Sequence, residues 1–93
     1  MNLGGVVSDI RANLSAYRQD TRGASDDNDR EDYERVGNIA EALASELESG
    51  NIEQAKRSAL AFSRSVSDSF ATQPRSFRPL ADAVERSRRL LGI

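Results

Sequence analysis

Apolar residues return every three or four positions along most of the chain, the period of α-helices lying on a shared core. Leu3, Val7, Ile10, Leu14 and Tyr17 form one stripe and predict a first helix over about residues 4–20. Tyr33, Val36, Ala40, Leu43 and Leu47, widened by Ile39, predict a second over about 28–48. Ile52, Ala55, Ala59, Phe62, Val66 and Phe70 predict a third over about 52–71. Leu80, Ala83, Val84, Ser87 and Leu91 predict a fourth over about 79–91. No segment shows the polar–apolar alternation of a strand. The pattern therefore predicts an all-α fold, a small four-helix bundle formed by residues 1–93 as one domain.

The breaks between stripes carry their own chemistry. Residues 21–27 are polar and include Gly23 and Ser25, so they read as a loop. Asn28 and Glu31 have the spacing of a capping box at the start of helix two. At 49–51, Gly50 suits the left-handed residue that closes a helix, and Asn51 with Gln54 suits the cap of the next. So short a link makes helices two and three an antiparallel hairpin. Pro74 and Pro79 interrupt the helical pattern and predict a loop over 72–78, with Pro79 in the first turn of helix four.

Gly50-Asn51-Ile52 with Ala55 resembles the inner turn of a tetratricopeptide repeat over those few residues. The aromatic and alanine positions further along do not align, and one hairpin lacks the stacked neighbours that a solenoid requires. A generic capped hairpin accounts for the same residues.

Composition narrows the chemistry. The chain has no histidine and no cysteine, which removes the usual nucleophile–base pairs, disulfides and most transition-metal ligands. It contains no phosphate-binding loop, dinucleotide-binding glycine pattern or Gly-x-Ser-x-Gly. Glu31 and Glu34 share a helix face, as in helical magnesium-dependent nucleotide hydrolases, but the second acidic pair those enzymes place on a facing helix is missing. Asp26-Asp27-Asn28-Asp29-Arg30-Glu31 lacks the central glycine of a calcium loop and sets Arg30 among the ligand positions. We therefore expect a protein that is not an enzyme and takes no cofactor or metal. Without cysteine, a membrane-length apolar run or the pattern of a signal peptide near Met1, a cytoplasmic location is expected.

Charge changes the picture more. Residues 1–55 carry five basic and twelve acidic groups, net −7, and residues 56–93 carry eight basic and three acidic groups, net +5. Local pairing absorbs part of this split: Glu31–Arg35, Glu53–Arg57, Asp82–Arg86 and Glu85–Arg89 stand at i,i+4. Helix dipoles absorb more, at Asp29, Glu31 and Asp32 near one helix start and Arg88 and Arg89 near one helix end. Asp26 and Asp27 remain without a local basic partner, and Arg75, Phe77 and Arg78 form a proline-bracketed display. For Phe77, plugging the end of the bundle is favoured over a display to a partner.

The residues singled out for partner binding are Asp26, Asp27, Asp29, Asp32 and Glu34 on the acidic side, with Arg75, Phe77 and Arg78 on the other. The leading expectation is a protein–protein interaction module that occludes a basic surface of another protein. By analogy of size and charge, stoichiometric inhibitors of the immunity or anti-defence type belong to this class. A nucleic-acid-associated regulator using Arg75, Arg78, Arg86, Arg88 and Arg89 is an alternative, opposed by the pI of about 5.1 and the acidic face. A homo-oligomeric scaffold joining acidic and basic halves is another.

Overall fold

The computed structural model describes residues 3–23, 27–67 and 74–93. Four helices occupy them: α1 (Leu3–Thr21), α2 (Asp27–Ser49), α3 (Ile52–Ser67) and α4 (Phe77–Leu91). Each packs on the next, and α4 returns to α1, so the helices close a ring whose thinnest seam among the described residues lies between α3 and α4. This is the small helical bundle expected from the periodicity, 40 × 21 × 18 Å in extent. Asp26, Asp68, Phe70 and the expected end of helix three at residue 71 lie outside the described residues.

The stripes become the core. Ile10, Tyr17, Ala40, Leu43, Ala55, Ala59, Leu80 and Ala83 are fully buried. Much of this core is alanine, at Ala40 and Ala44 on α2, Ala55 and Ala59 on α3 and Ala83 on α4. The stripes overlooked Val6, Ala44 and Ser58, which are also buried. They overlooked Gly37 as well, which α2 buries. The Arg18 guanidinium from α1 lies across Gly37, reaching Glu41 Oε2 at 3.0 Å and Asn38 Oδ1 at 3.4 Å. A methyl group on Gly37 would stand 3.6 Å from that guanidinium, an ordinary contact.

The hairpin forms as its sequence predicts. Gly50 adopts a φ of 79°, and Asn51 and Gly50 donate their N–H groups to the carbonyls of Glu46 and Leu47. These are the two bonds of a Schellman ending. Asn51 Oδ1 then accepts the Gln54 N–H at 3.4 Å and caps α3. Gly92, at φ 77°, ends α4 in the same manner through Arg88 and Arg89.

Two helix starts differ from the expectation. α2 begins at Asp27, so Asn28 lies inside the helix rather than capping it. α4 begins at Phe77, so Phe77 and Arg78 belong to the helix and not to a loop. Pro79 is then the third residue of α4, where an N–H has no intrahelical acceptor to lose. Arg78 precedes a proline and is disfavoured in a helix on local grounds. The burial of the neighbouring Phe77 ring overrides that preference.

The charges also pair differently from the expected i,i+4 scheme. Arg35 meets Asp32 at 2.8 Å, Lys56 meets Glu53 at 3.7 Å and Arg88 meets Glu85 at 3.3 Å, all at i,i+3. Arg86 crosses from α4 to Asp9 on α1 at 3.0 Å. Arg18–Glu41 and Arg11–Glu48 join α1 to α2 at 3.0 and 3.6 Å. Of these three inter-helix pairs, Arg86–Asp9 joins the basic half of the chain to the acidic half, and the other two lie within the acidic half. No described helix is long and apolar enough to cross a membrane.

Candidate functional site

The end of the bundle that carries the starts of α2 and α4 also carries the last turn of α1 and the far end of α3. Four aromatic rings meet there. Tyr17 lies edge-on to Tyr33 with centroids 6.2 Å apart, and Phe77 sits 6.3 Å from Tyr17 and 6.2 Å from Phe62. Phe77 thus turns its ring inward and plugs the bundle, the role favoured for it from sequence. Burial raises the Tyr17 hydroxyl well above the usual tyrosine range, with Tyr33 and Asp32 adding to the effect. Tyr33 is raised too, first by burial and then by Asp29 and Asp32.

Asp27, Asp29, Asp32, Arg75 and Arg78 lie at this end of the bundle, and Asp26 lies outside the described residues. Asp27 opens α2 with 91% of its side chain exposed. Its carboxylate lies 3.8 Å from Arg30, which corrects the expectation that it has no local basic partner. One helical turn brings Arg30 back over Asp27, at i,i+3 rather than i,i+4. Asp29 and Asp32 are half-buried beside Tyr33, and Asp32 is held by Arg35. Arg75 and Arg78 are exposed and make no ion pair among the described residues. The acidic and basic groups therefore share one end of the bundle, where the rings of Tyr33, Tyr17 and Phe77 are in contact.

Pairing at i,i+3 has a consequence on the flank of the hairpin. Arg35 is taken by Asp32, so Glu31 and Glu34 are exposed and make no ion pair among the described residues. Both line a shallow groove of about 460 Å³ between α2 and α3, with Arg35, Asn38, Ile39, Ala42, Ser58 and Ala61. Sequence reasoning found the two glutamates and their shared face but not this groove. Its signal was the row Arg35, Ile39, Ala42 at helical spacing, offset from the core stripe. The α3 side of the groove offers Ser58 and Ala61 where a metal-dependent hydrolase would need carboxylates. Ser58 is occupied in donating its hydroxyl to Glu46 at 2.5 Å. Among the described residues no three His, Cys, Asp or Glu side chains converge on a point that would hold a metal ion.

Negative charge is concentrated on one element. α2 carries eight carboxylates against Arg30 and Arg35, whereas α3 and α4 each carry a net positive charge. Asp27, Asp32, Glu41 and Glu48 are paired with arginines, and half-buried Ile39 and Ala42 lie on the same helix. Comparison with protein-family models, curated proteins and solved structures finds no match to this chain.

Proposed function

We propose that this bundle acts without catalysis, by binding another protein through the acidic start of α2 and covering a basic surface of that partner. The observation that carries this reading is the concentration of eight carboxylates on α2, with Asp27 and Glu34 displayed to solvent. Asp29 and Asp32 add negative charge beside them, and Asp26 extends the same run in sequence. Such a field speeds encounter with a cationic active site or nucleic-acid-binding face, while neighbouring apolar groups lengthen the complex's lifetime. A protein working this way is a stoichiometric inhibitor: it matches its target one to one and turns nothing over. Arg75 and Arg78, exposed at the same end of the bundle, supply contacts at the rim, where they select against wholly basic partners.

The reading is tested by affinity capture at moderate salt with the intact chain and with Asp27→Lys/Glu34→Lys. A basic protein retained by the first and lost by the second is the expected result. Equal retention of partners by both, or capture of no protein by either, overturns it.

A further inference from the structure

Three of the five arginines in residues 1–55 line one small cleft, although that part of the chain carries twelve acidic groups. The cleft, of about 290 Å³, lies between the end of α1 and the start of α2, and its walls are Arg18, Thr21, Arg22, Arg30, Tyr33 and Glu34. Arg22 follows the last residue of α1 and is held in the turn by its backbone N–H, which donates to the Gln19 carbonyl at 3.4 Å. Its guanidinium is exposed and makes no ion pair among the described residues. The Tyr33 hydroxyl makes no hydrogen bond among them either, while its ring is held edge-on to Tyr17. Arg18 is fixed through Nη2, which donates to Glu41 and Asn38, and its Nε and Nη1 groups are left to donate elsewhere. Arg30 adds a third positive charge, 3.8 Å from the Asp27 carboxylate, a separation too long for a hydrogen bond.

Donors and acceptors together select the ligand. Three guanidiniums and a phenol bring N–H and O–H donors from two helices, which suits a tetrahedral oxyanion with acceptor oxygens on several sides. Thr21 turns its hydroxyl proton back to the Tyr17 carbonyl at 2.9 Å, so towards a ligand it accepts, as Glu34 does. Two acceptors beside a cluster of donors suit hydroxyl groups carried next to the anion. Glu34 and the carbonyl end of α1 oppose a polyphosphate. Size agrees, since about 290 Å³ lies at the small end of ligand pockets. We infer that this cleft binds a small hydroxylated phosphate monoester, with Arg18, Arg22 and Tyr33 on the phosphate oxygens, Arg30 adding charge and Glu34 accepting from a hydroxyl group. The inference does not depend on the partner proposed above, and its test contains no second protein.

Amide chemical shifts of the intact chain, followed during titration with glycerol phosphate at low salt, test it. Saturable shifts are expected at Arg22, Arg30 and Tyr33. Inorganic phosphate is expected to give the same pattern at weaker affinity, and succinate, a dianion without tetrahedral oxygens, to bind more weakly than either. Arg22→Ala removes a guanidinium that has no ion pair to lose, and is expected to weaken binding about tenfold. Arg11→Ala makes the same change in net charge on α1 but outside the cleft, and is expected to leave the affinity nearly unchanged. Circular dichroism establishes that each variant is folded. Tyr33→Phe, which keeps the ring and removes the hydroxyl, is expected to weaken binding as well and carries the test if Arg22→Ala fails to fold. No saturable shift with glycerol phosphate overturns the inference. So does inorganic phosphate or succinate bound as tightly as the monoester, or an Arg11→Ala protein that loses as much affinity as Arg22→Ala.

Discussion

The ring of Phe77 lies parallel to that of Phe62, with 6.2 Å between centroids and 4° between planes. This stack joins the first residue of α4 to α3 across the seam that is thinnest among the described residues. Phe77→Ala is expected to lower stability by about 2 kcal/mol, less than a fully buried phenylalanine because the ring is only partly enclosed. Arg75→Ala and Arg78→Ala, in exposed positions beside it, are expected to stay within about 0.5 kcal/mol of the parent. Urea unfolding separates the two outcomes, and a larger loss at Arg78 than at Phe77 would contradict the roles assigned to them.

Two glycines of α2 and its ending are expected to respond in opposite directions to the same substitution. At Gly37 the new methyl group meets Arg18 at 3.6 Å and gains helix propensity, so Gly37→Ala is expected to stabilise by up to about 1 kcal/mol. At Gly50 the backbone holds a φ of 79°, so Gly50→Ala is expected to destabilise by about 1 kcal/mol although nothing obstructs the methyl group. Thermal unfolding of the pair reads both signs.

Stability should fall in alkali through Tyr17. An unfolded tyrosine loses its proton near pH 10, whereas burial keeps the Tyr17 hydroxyl protonated beyond that. Above about pH 10 the unfolded chain binds fewer protons than the folded one, so stability declines as pH rises from there towards the folded value. Tyr17→Phe is expected to start from a different stability at neutral pH but to show a shallower decline. The slope from urea unfolding at several alkaline pH values checks this, with Tyr33 retaining its own smaller share in the variant.

Asp9 and Arg86 form an exposed ion pair at 3.0 Å between α1 and α4, both side chains about half accessible. Its coupling, measured by a double-mutant cycle with alanine at each position, is expected to be about 0.5 kcal/mol and to shrink with salt. Coupling well above 1 kcal/mol would show that the pair is shielded from water to a degree its exposure does not suggest.

Sequence periodicity revealed the helices because each buries a stripe, and burial is what apolar spacing encodes. Gly50 and Asn51 were legible because a left-handed residue and a side-chain cap have few chemical solutions. Ion pairing was less legible. Spacing allows Arg35 to reach either Glu31 or Asp32, and only the folded geometry selects Asp32. That choice leaves Glu31 in the groove's lining without an ion pair among the described residues. The helical state of Arg78 was hidden for a related reason: Pro79 argues locally for a loop, and the contact that prevails, Phe77 against Phe62 and Tyr17, joins residues distant in sequence.

The pairing of Asp9 with Arg86 spans 77 positions, whereas α1 with α2 and α2 with α3 are neighbours along the chain. Local hairpins form early and cheaply in loop entropy, and contacts that close a long loop form late. The docking of α4 on α1 is therefore expected to follow the folding barrier. Substitutions in that seam should quicken unfolding and leave the folding arm of a chevron plot almost unmoved. On that expectation the last helix is a latch: the rate at which the bundle opens is set where α4 meets α1, not where the hairpin turns.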